Sequence, residues 1–373
     1  MKRAVVFVLV LVAAGSIWAW TAGYVDRVRD RVWGRAPRLS AGDFPAGVSA
    51  PVDDVASVPL RTTLIGYVPR GAVAGLVWAA TDGSTFKSSY AIDVKAAPFA
   101  REDELRRALM KGAENGGVDF AAMTVSQLAL DAVPLRDAAP RTVLLLGRSR
   151  GQDVLAAARG ITSPAGLKGK RIGVEPRSTG HYFLLWVMSR AGLTLRDVVL
   201  VDLASAAEAG KELQAGKIDA AVGYAGDLQP VVAQLGGTIL SSTADAPHLI
   251  ATVLVARGDF AARYPDAIRR VIRGVLDANA TVAKDPAQGA RALGEVGAWL
   301  GDPAEAIRSS PPASVRDNLS FFGLSGEAPV TYFELFQSAS RLGSRLWNNP
   351  PTPQAEDTCD LGALKYVSST RGP

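Results

Sequence analysis

The chain has 373 residues, of which 48% are hydrophobic and 21% charged, proportions typical of a folded protein with two lobes or two domains. The net charge of +5 lies entirely in residues 1–38, which hold seven basic and two acidic side chains, so the remainder is neutral. A neutral body lacks the basic surface that duplex nucleic acid requires, and we predict no nucleic-acid partner. A single cysteine, Cys359, excludes an internal disulfide, and two histidines argue against a zinc site.

The first element along the chain is an apolar run over residues 4–22, close to the roughly 20 residues that cross a bilayer. Aromatic side chains cluster at its far end, as they do at membrane interfaces. The run favours an uncleaved membrane anchor over residues 1–25. A signal peptide is the alternative, although Trp20 spoils the cleavage pattern that would end at Ala22. Residues 26–59 then form a basic stretch and a linker rich in proline, alanine and glycine.

The basic side chains around this run conflict with export of the body. Five arginines follow the run, and only Lys2 and Arg3 precede it. The positive-inside rule would therefore keep the C-terminal side in the cytoplasm. The residues by themselves leave the membrane orientation open.

The body then begins with a β-α-β-α-β series. Alternation of apolar and polar residues, or a short apolar run, predicts strands over residues 60–67, 90–95 and 118–123. Small residues and helical spacing predict helices over residues 71–80 and 101–111.

The same order of elements recurs later in the chain. Strands are predicted over residues 171–174, 198–203 and 218–222, with helices over residues 181–191 and from Ser205 to about Gly216. Ser205 and Glu208 have the spacing of a capping box at the start of the second of these helices. Asp119 and Asp219 occupy equivalent places in the two copies, and we interpret both as residues of the turn that enters a strand.

Two apolar segments flank the second copy, residues 141–147 and residues 248–256. Each is placed to carry the chain between lobes, so we interpret both as hinge strands. Helices follow, one beginning at Pro265, one at Asp285 and Pro286, and a long one opened by a capping box of Thr331 and Glu334. These helices are expected to pack back onto the first lobe.

The duplication predicts an α/β protein with two lobes, each a doubly wound sheet, joined by two crossover hinge strands. The first lobe is expected over residues 60–147 and the second over residues 148–249. Residues 250–373 are expected to return to the first lobe and to form the C-terminal helices.

Several short motifs of the body occur in a characteristic order. They are the turn Gly66-Tyr67-Val68-Pro69, residues 117–122, the segment Ser149-Arg150-Gly151-Gln152-Asp153, residues 167–174 and residues 214–221. In this order and spacing the chain resembles the periplasmic substrate-binding proteins of taurine-, nitrate- and sulfonate-type ABC importers, a family that includes binders of thiamine-pyrimidine precursors. The resemblance covers residues 60–292, and residues 332–347 are similar to the closing helices of the family.

The resemblance implies a type II periplasmic-binding fold and a protein that binds a small-molecule ligand without turning it over. It implies an ABC permease and ATPase as partners, and a position on the periplasmic side of the bacterial inner membrane. No cofactor is implied. The sequence departs from the family where residues 223–226 replace a Trp-Glu-Pro motif, and it lacks the cysteine-rich motif of the pyrimidine synthases with this fold.

Two alternatives to an importer component remain open from the sequence. A membrane-anchored sensor or envelope-associated protein is suggested by the apolar run and by the departures in the cleft. A cofactor-biosynthesis enzyme on the same scaffold is the other, although the chain carries no nucleophile elbow, phosphate-binding loop or metalloprotease motif.

Candidate ligand-binding residues follow the ends of the predicted strands. In doubly wound sheets, ligands bind beyond the carboxyl ends of strands, where helix N-termini present free N–H groups. The residues predicted to bind on this basis, together with two at the first crossing, are Tyr67, Thr124, Ser126, Ser149, Asp153, Ser178, Thr179, Gly180 and Tyr224.

These residues are mainly hydroxyls, glycine and tyrosines, with Asp153 as the one fixed negative charge. Helix N-termini at Thr124 and Ser178 would direct partial positive charge into the cleft. The sequence therefore predicts a small anionic or zwitterionic ligand, of the sulfonate, nitrate, carboxylate or pyrimidine-precursor class. Plain capping of the two helices is the competing interpretation of both hydroxyl groups.

Overall fold

The structure is a computed structural model and describes residues 58–81, 85–205, 208–296, 301–347 and 353–370. The predicted membrane segment, residues 4–22, and nearly all of the basic stretch and linker lie outside the described residues. Among the residues that are described, no helix combines the length and the apolar character needed to cross a membrane.

The strands alternate with helices along most of the described chain. In chain order they are β1 (Thr63–Tyr67), β2 (Val94–Pro98), β3 (Phe120–Thr124), β4 (Arg141–Arg148), β5 (Asp153–Ala157), β6 (Arg171–Val174), β7 (Val199–Asp202), β8 (Ala220–Tyr224), β9 (Thr238–Ser242) and β10 (Ala251–Ala256).

The helices become dominant after the last strand. In chain order they are α1 (Ala74–Thr81), α2 (Glu102–Lys111), α3 (Val125–Leu130), α4 (Thr179–Arg190), α5 (Ala209–Gln214), α6 (Ala225–Leu235), α7 (Gly258–Arg263), α8 (Pro265–Lys284), α9 (Pro286–Glu295), α10 (Pro303–Ser309), α11 (Val315–Phe321), α12 (Tyr332–Trp347) and α13 (Gly362–Thr370).

The two sheets have equivalent strand orders, β2-β1-β3-β10-β4 in the first lobe and β7-β6-β8-β5-β9 in the second. In each sheet three strands are parallel, and the strand beside them is antiparallel. That antiparallel strand, β10 or β5, lies immediately after a crossing from the other lobe. The predicted two-lobed α/β fold is confirmed. The chain crosses to the second lobe before β5 and returns to the first lobe before β10.

The C-terminal helices pack on the first lobe. α8 lies against α1, α12 against α3, α13 against α8 and α11 against β4. Their buried side chains belong to one continuous apolar core with β1, β3, β4 and β10. The second lobe has separate apolar clusters on the two faces of its sheet. The chain therefore gives most of its buried apolar surface to the first lobe, and the second lobe is the smaller body.

Two short crossings connect the lobes, one between β4 and β5 and the other between β9 and β10. They are tied side by side. The Ser149 and Thr243 hydroxyls lie 2.6 Å apart, the Gly151 N–H donates to Thr243 Oγ1, and the Ser149 N–H donates to the Ile250 carbonyl. Ser149 thus lies in the hinge, and its hydroxyl is engaged by the opposite crossing.

The equivalent aspartates of the two copies, Asp119 and Asp219, accept the same kinds of hydrogen bond in the two lobes. The Asp119 carboxylate accepts hydrogen bonds from the Leu64 N–H and from the Arg61 guanidinium at the start of β1. The Asp219 carboxylate accepts from the N–H and guanidinium of Arg171 at the start of β6. Each aspartate fixes the register of the first strand of its lobe against the third.

Some local predictions are confirmed and others are wrong. Thr331 and Glu334 form the predicted capping box at α12, and Asp285 caps α9. The capping box predicted for Ser205 is wrong, because α5 begins after Glu208, whose carboxylate instead accepts from the Ala204 N–H. Short elements without a clear period, among them β5, β9 and α6, escaped prediction.

Candidate ligand-binding site

A cavity of about 270 Å³ lies between the two lobes. Its wall is formed by the segment after β1, the first turn of α2, the first crossing, the loop between β6 and α4, the start of α6, and one side of α10. Most of these segments follow the carboxyl end of a strand, because both sheets direct those ends toward the interface. The cavity therefore lies where a doubly wound fold places ligands.

A buried guanidinium stands at the centre of this wall. Arg70 is 4% exposed, and its Nη1 donates to both oxygens of Asp153, at 3.2 and 3.3 Å. Its Nη2 donates to Glu102 Oε1 at 3.1 Å, and its guanidinium carbon lies 5.0 Å from the centre of the Tyr224 ring. Arg70 and Glu102 belong to the first lobe and the other two residues to the second. The guanidinium therefore links the lobes through charge and through a cation–π contact.

The other oxygen of Glu102 binds the first turn of α4. Glu102 Oε2 accepts from the Thr179 N–H at 2.7 Å and from the Thr179 hydroxyl at 3.1 Å. A carboxylate is favourable at a helix N-terminus because the first N–H groups have no partner within the helix. The position predicted to receive an external anion is thus filled by a side chain from the opposite lobe.

The hydroxyls of the predicted site also satisfy one another. Thr124 Oγ1 lies 2.9 Å from Thr179 Oγ1 and 3.0 Å from Ser126 Oγ. Thr124 forms a capping box with Gln127, and Ser178 accepts from the His181 N–H as the N-cap of α4. The capping interpretation of Thr124 and Ser178 is therefore seen directly.

Burial and neighbouring charges shift the pKa values of the ionisable groups in the cavity wall. Burial alone would lower the pKa of the Arg70 guanidinium, but the facing carboxylates of Asp153 and Glu102 raise it above its ordinary value. Burial raises the pKa of the Glu102 carboxyl, and the donors on Arg70 and Thr179 oppose that shift. Burial also raises the pKa of the Asp227 carboxyl to about 6. With that pKa, the Asp227 carboxyl is mostly ionised at neutral pH and becomes protonated in mildly acidic solution.

The structure distributes the predicted site residues over three environments. Tyr67 is fully buried in the core of the first lobe, and Ser149 lies in the hinge. Thr124 and Thr179 join the lobes away from the cavity wall, and Ser126 contacts Thr124 within the first lobe. The residues that line the cavity are Asp153, Ser178, Gly180 and Tyr224. Ligand binding by any of them stays a prediction.

The expectation of little fixed negative charge is wrong. Six carboxylates line the cavity, from Glu102, Asp153, Glu175, Asp227, Asp302 and Glu305, and the one guanidinium is that of Arg70. Sequence reasoning missed most of them. In the sequence, Glu102 is explained by its place in the first turn of α2, where acidic residues are common. Asp302 and Glu305 lie at the start of α10, far along the chain from the two repeats. Arg70 directly follows the Gly66-Tyr67-Val68-Pro69 turn, so its position just after a strand end could have marked it as a candidate site residue.

The family model described as NMT1/THI5-like matches residues 107–289. The taurine-binding periplasmic protein of Escherichia coli (strain K12) is 30% identical over 186 residues, which are 48% of this chain and 55% of that protein. The matching part thus spans about half the length of this curated relative.

Solved structures resemble the chain over a longer stretch. The alkanesulfonate-binding protein SsuA from Xanthomonas axonopodis pv. citri, bound to MOPS, superimposes with a TM-score of 0.63 at 18% identity, over 82% of this chain and 99% of that one. The desulfurization enzyme DSZB superimposes with a TM-score of 0.59 at 13% identity, also over 82% of this chain and 99% of that one. At such identities the likeness establishes the fold. Residues 107–289 match the NMT1/THI5-like family model, and the described body of the chain has the fold of these solved structures.

Proposed function

We propose that this protein is the solute-binding component of an ABC importer, and that it holds a small solute in the cavity between its lobes. The observation that carries the proposal is the cavity itself. It lies between two lobes that touch across it through Arg70, Glu102 and Thr179 and that are joined by two short crossings. Closure of such lobes around a solute is a hinge motion, which needs a cavity and two crossings but no catalytic group.

The relatives support the same function. A curated relative at 30% identity is a periplasmic taurine-binding protein, and a protein with the same fold binds an alkanesulfonate. On this proposal the partners are an ABC permease and its ATPase, and the body lies on the periplasmic side of the bacterial inner membrane. Residues 4–22 would tether it there, or would be removed as a signal peptide. The relatives give no support to a sensor or envelope-assembly role.

The size of the cavity restricts the solute. Pockets for drug-sized ligands have volumes of roughly 300–1,000 Å³, so a cavity of about 270 Å³ suits a smaller molecule. Of the anionic and zwitterionic solutes predicted from sequence, zwitterions fit the observed wall better. A molecule with negative charge alone would face six carboxylates and a guanidinium that already binds two of them.

Native mass spectrometry of the full-length protein tests the proposal. The expected result is one small solute per chain, released when the protein is denatured and recovered unchanged after prolonged incubation with the protein. Chemical conversion of the recovered solute would instead favour an enzyme. An enzyme is the second candidate because the desulfurization enzyme DSZB has the same fold. A protein that carries no solute, and that no small solute stabilises against heating, would contradict a binding function.

A further inference from the structure

A carboxylate of the protein itself is held like a bound ligand at the lobe interface. Glu102 of the first lobe is 7% exposed, and its Oε1 accepts from Arg70 Nη2 at 3.1 Å. Its Oε2 accepts from the Thr179 N–H at 2.7 Å and from the Thr179 hydroxyl at 3.1 Å, at the start of α4. A guanidinium and a helix N-terminus are donors with which proteins bind external carboxylates, sulfates and phosphates. The three donors therefore form an anion subsite that a side chain occupies.

The donors of this anion subsite keep their positions through contacts that do not involve Glu102. Arg70 Nη1 donates to both oxygens of Asp153, at 3.2 and 3.3 Å, which orients the guanidinium. The Thr179 hydroxyl lies 2.9 Å from Thr124 Oγ1, and the Thr179 N–H is fixed by the first turn of α4. The subsite is thus preorganised, and its donors would remain in place if the Glu102 carboxylate were removed.

The Glu102 side chain lies between the Thr179 donors and the cavity. Glu102 and Arg70 line the cavity of about 270 Å³, whereas Thr179 is fully buried and does not line it. Ser178 and Gly180, the neighbours of Thr179 in the chain, do line it, so the first turn of α4 reaches the cavity wall. Removal of the Glu102 side chain beyond its β-carbon would therefore open the subsite to the cavity. The atoms removed are one methylene and one carboxylate, which together match an acetate ion.

We propose that Glu102 is a built-in occupant of this anion subsite and a specificity-determining residue of the cavity, because it denies the Arg70 guanidinium and the start of α4 to external carboxylates and sulfonates. A carboxylate that is tethered to the protein loses less translational freedom on binding than a free anion does, so it excludes free anions at ordinary concentrations. The inference rests on the proposed binding function for its role in selecting solutes. The subsite itself can be tested without the natural solute.

Chemical rescue of Glu102→Ala by acetate tests the inference. The thermal unfolding of the full-length variant is measured in sodium acetate and in sodium chloride of the same ionic strength. Acetate should raise the melting temperature of Glu102→Ala by at least about 2 °C, in a saturable way, because an anion that binds only the folded protein stabilises it. Methanesulfonate should act in the same direction. The wild type should show no such shift, because Glu102 already fills the subsite.

Matched variants control this test. Glu104→Ala removes a partly exposed carboxylate from the same turn of α2, outside the cavity wall, and acetate should shift its melting temperature no more than that of the wild type. Acetamide, the neutral analogue of acetate, should shift Glu102→Ala much less than acetate does.

Glu102→Gln fills the subsite without a charge, so it should melt below the wild type and gain nothing from acetate. Equal acetate shifts in Glu102→Ala, Glu104→Ala and the wild type would overturn the inference. So would a Glu102→Gln variant as stable as the wild type, a criterion that holds even if Glu102→Ala does not fold. Neither result would bear on whether the protein carries a solute, which native mass spectrometry decides separately.

Discussion

Three buried ionic side chains at the lobe interface illustrate how residue chemistry determines this site. Arg70, Glu102 and Asp153 are each less than 10% exposed, so one guanidinium and two carboxyl groups are buried together. A buried ion is tolerated only when partners replace its water, and removing one partner of such a group is strongly destabilising. Here Glu102 Oε1 accepts from Arg70, and Glu102 Oε2 accepts from the Thr179 N–H at the start of α4. The three ions and the helix therefore stabilise one another across the interface.

His181, next to this network, should make stability depend on pH. It is 5% exposed, its Nδ1 accepts from the Arg177 N–H, and burial lowers its pKa to about 4. A histidine pKa lowered on folding contributes stability that is complete above about pH 6.5 and is lost as the pH falls toward 4. We expect the wild type to lose about 2–3 kcal/mol more than His181→Asn between neutral pH and pH ~4.5.

Urea unfolding of the two proteins at both pH values measures this difference, since asparagine keeps an acceptor near the Nδ1 position but does not titrate. Equal losses of unfolding free energy in the two proteins would show that the pKa of His181 is not lowered by folding, and the argument from burial would be wrong.

At the scale of elements, strand β4 shows how an exposed sheet edge is covered. β4 is the last strand of the first sheet, so one row of its backbone groups has no strand partner. Asn318 of α11 is fully buried and takes the place of a strand there. Its Oδ1 accepts from the Leu145 N–H at 2.7 Å, and its Nδ2 donates to the Leu145 carbonyl at 3.0 Å. Asn318 thus covers the middle of this edge and attaches α11 to the sheet, while Cys359 and Pro312 form bridges with Thr142 and Gly147 nearer the ends of the edge.

Asn318→Ala should destabilise the protein by about 2–4 kcal/mol, because it leaves the buried N–H and carbonyl of Leu145 without partners. Asn115→Ala is the matched control, since Asn115 is exposed and donates only to a carbonyl of its own helix region, and its effect should stay within about 0.5 kcal/mol. Chemical denaturation measures both. A loss below 1 kcal/mol for Asn318→Ala would mean that water enters and replaces the amide.

At the scale of the whole molecule, contacts of the protein's own side chains hold the lobes together. Besides the Arg70 network, Arg177 of the second lobe reaches the end of α3 in the first, donating to the Asp131 carboxylate and to the Leu130 carbonyl. Asp131 is 1% exposed and also accepts from Arg106. The closed arrangement is thus stabilised partly by internal charge pairs, and a bound solute has to supply only the remaining free energy.

Arg177→Ala should shift the molecule toward an open arrangement. Loss of hydrogen bonds to a buried carboxylate and a carbonyl removes about 1–3 kcal/mol from the closed form, which raises the ratio of open to closed molecules about 5- to 150-fold. Small-angle scattering should record a larger radius of gyration than in the wild type. Arg171→Ala removes a similar pair with Asp219 inside the second lobe and should leave the radius unchanged. Equal radii in all three proteins would mean that Arg177 does not hold the lobes.

Much of the fold follows from local pattern. Some features depend only on residues that are near one another in the chain, so the sequence predicts them. They are the apolar alternation of β1, the buried runs of β4 and β10, the capping box at Thr331 and the N-terminal proline of α8. The duplicated order of elements likewise predicted two equivalent sheets and the edge at which a cavity would form.

The sequence by itself therefore determined the two lobes and the loops that meet between them, because strand and helix periods are local properties. Only the tertiary structure decided what those loops bind. Asp153 and Thr179 meet Arg70 and Glu102 from positions 83 and 77 residues apart in the chain. A serine or threonine at a helix start signals free N–H groups, but not whether a solute or a carboxylate from the other lobe will reach them. The ionic character of the cavity is set by which side chains the closed lobes bring together.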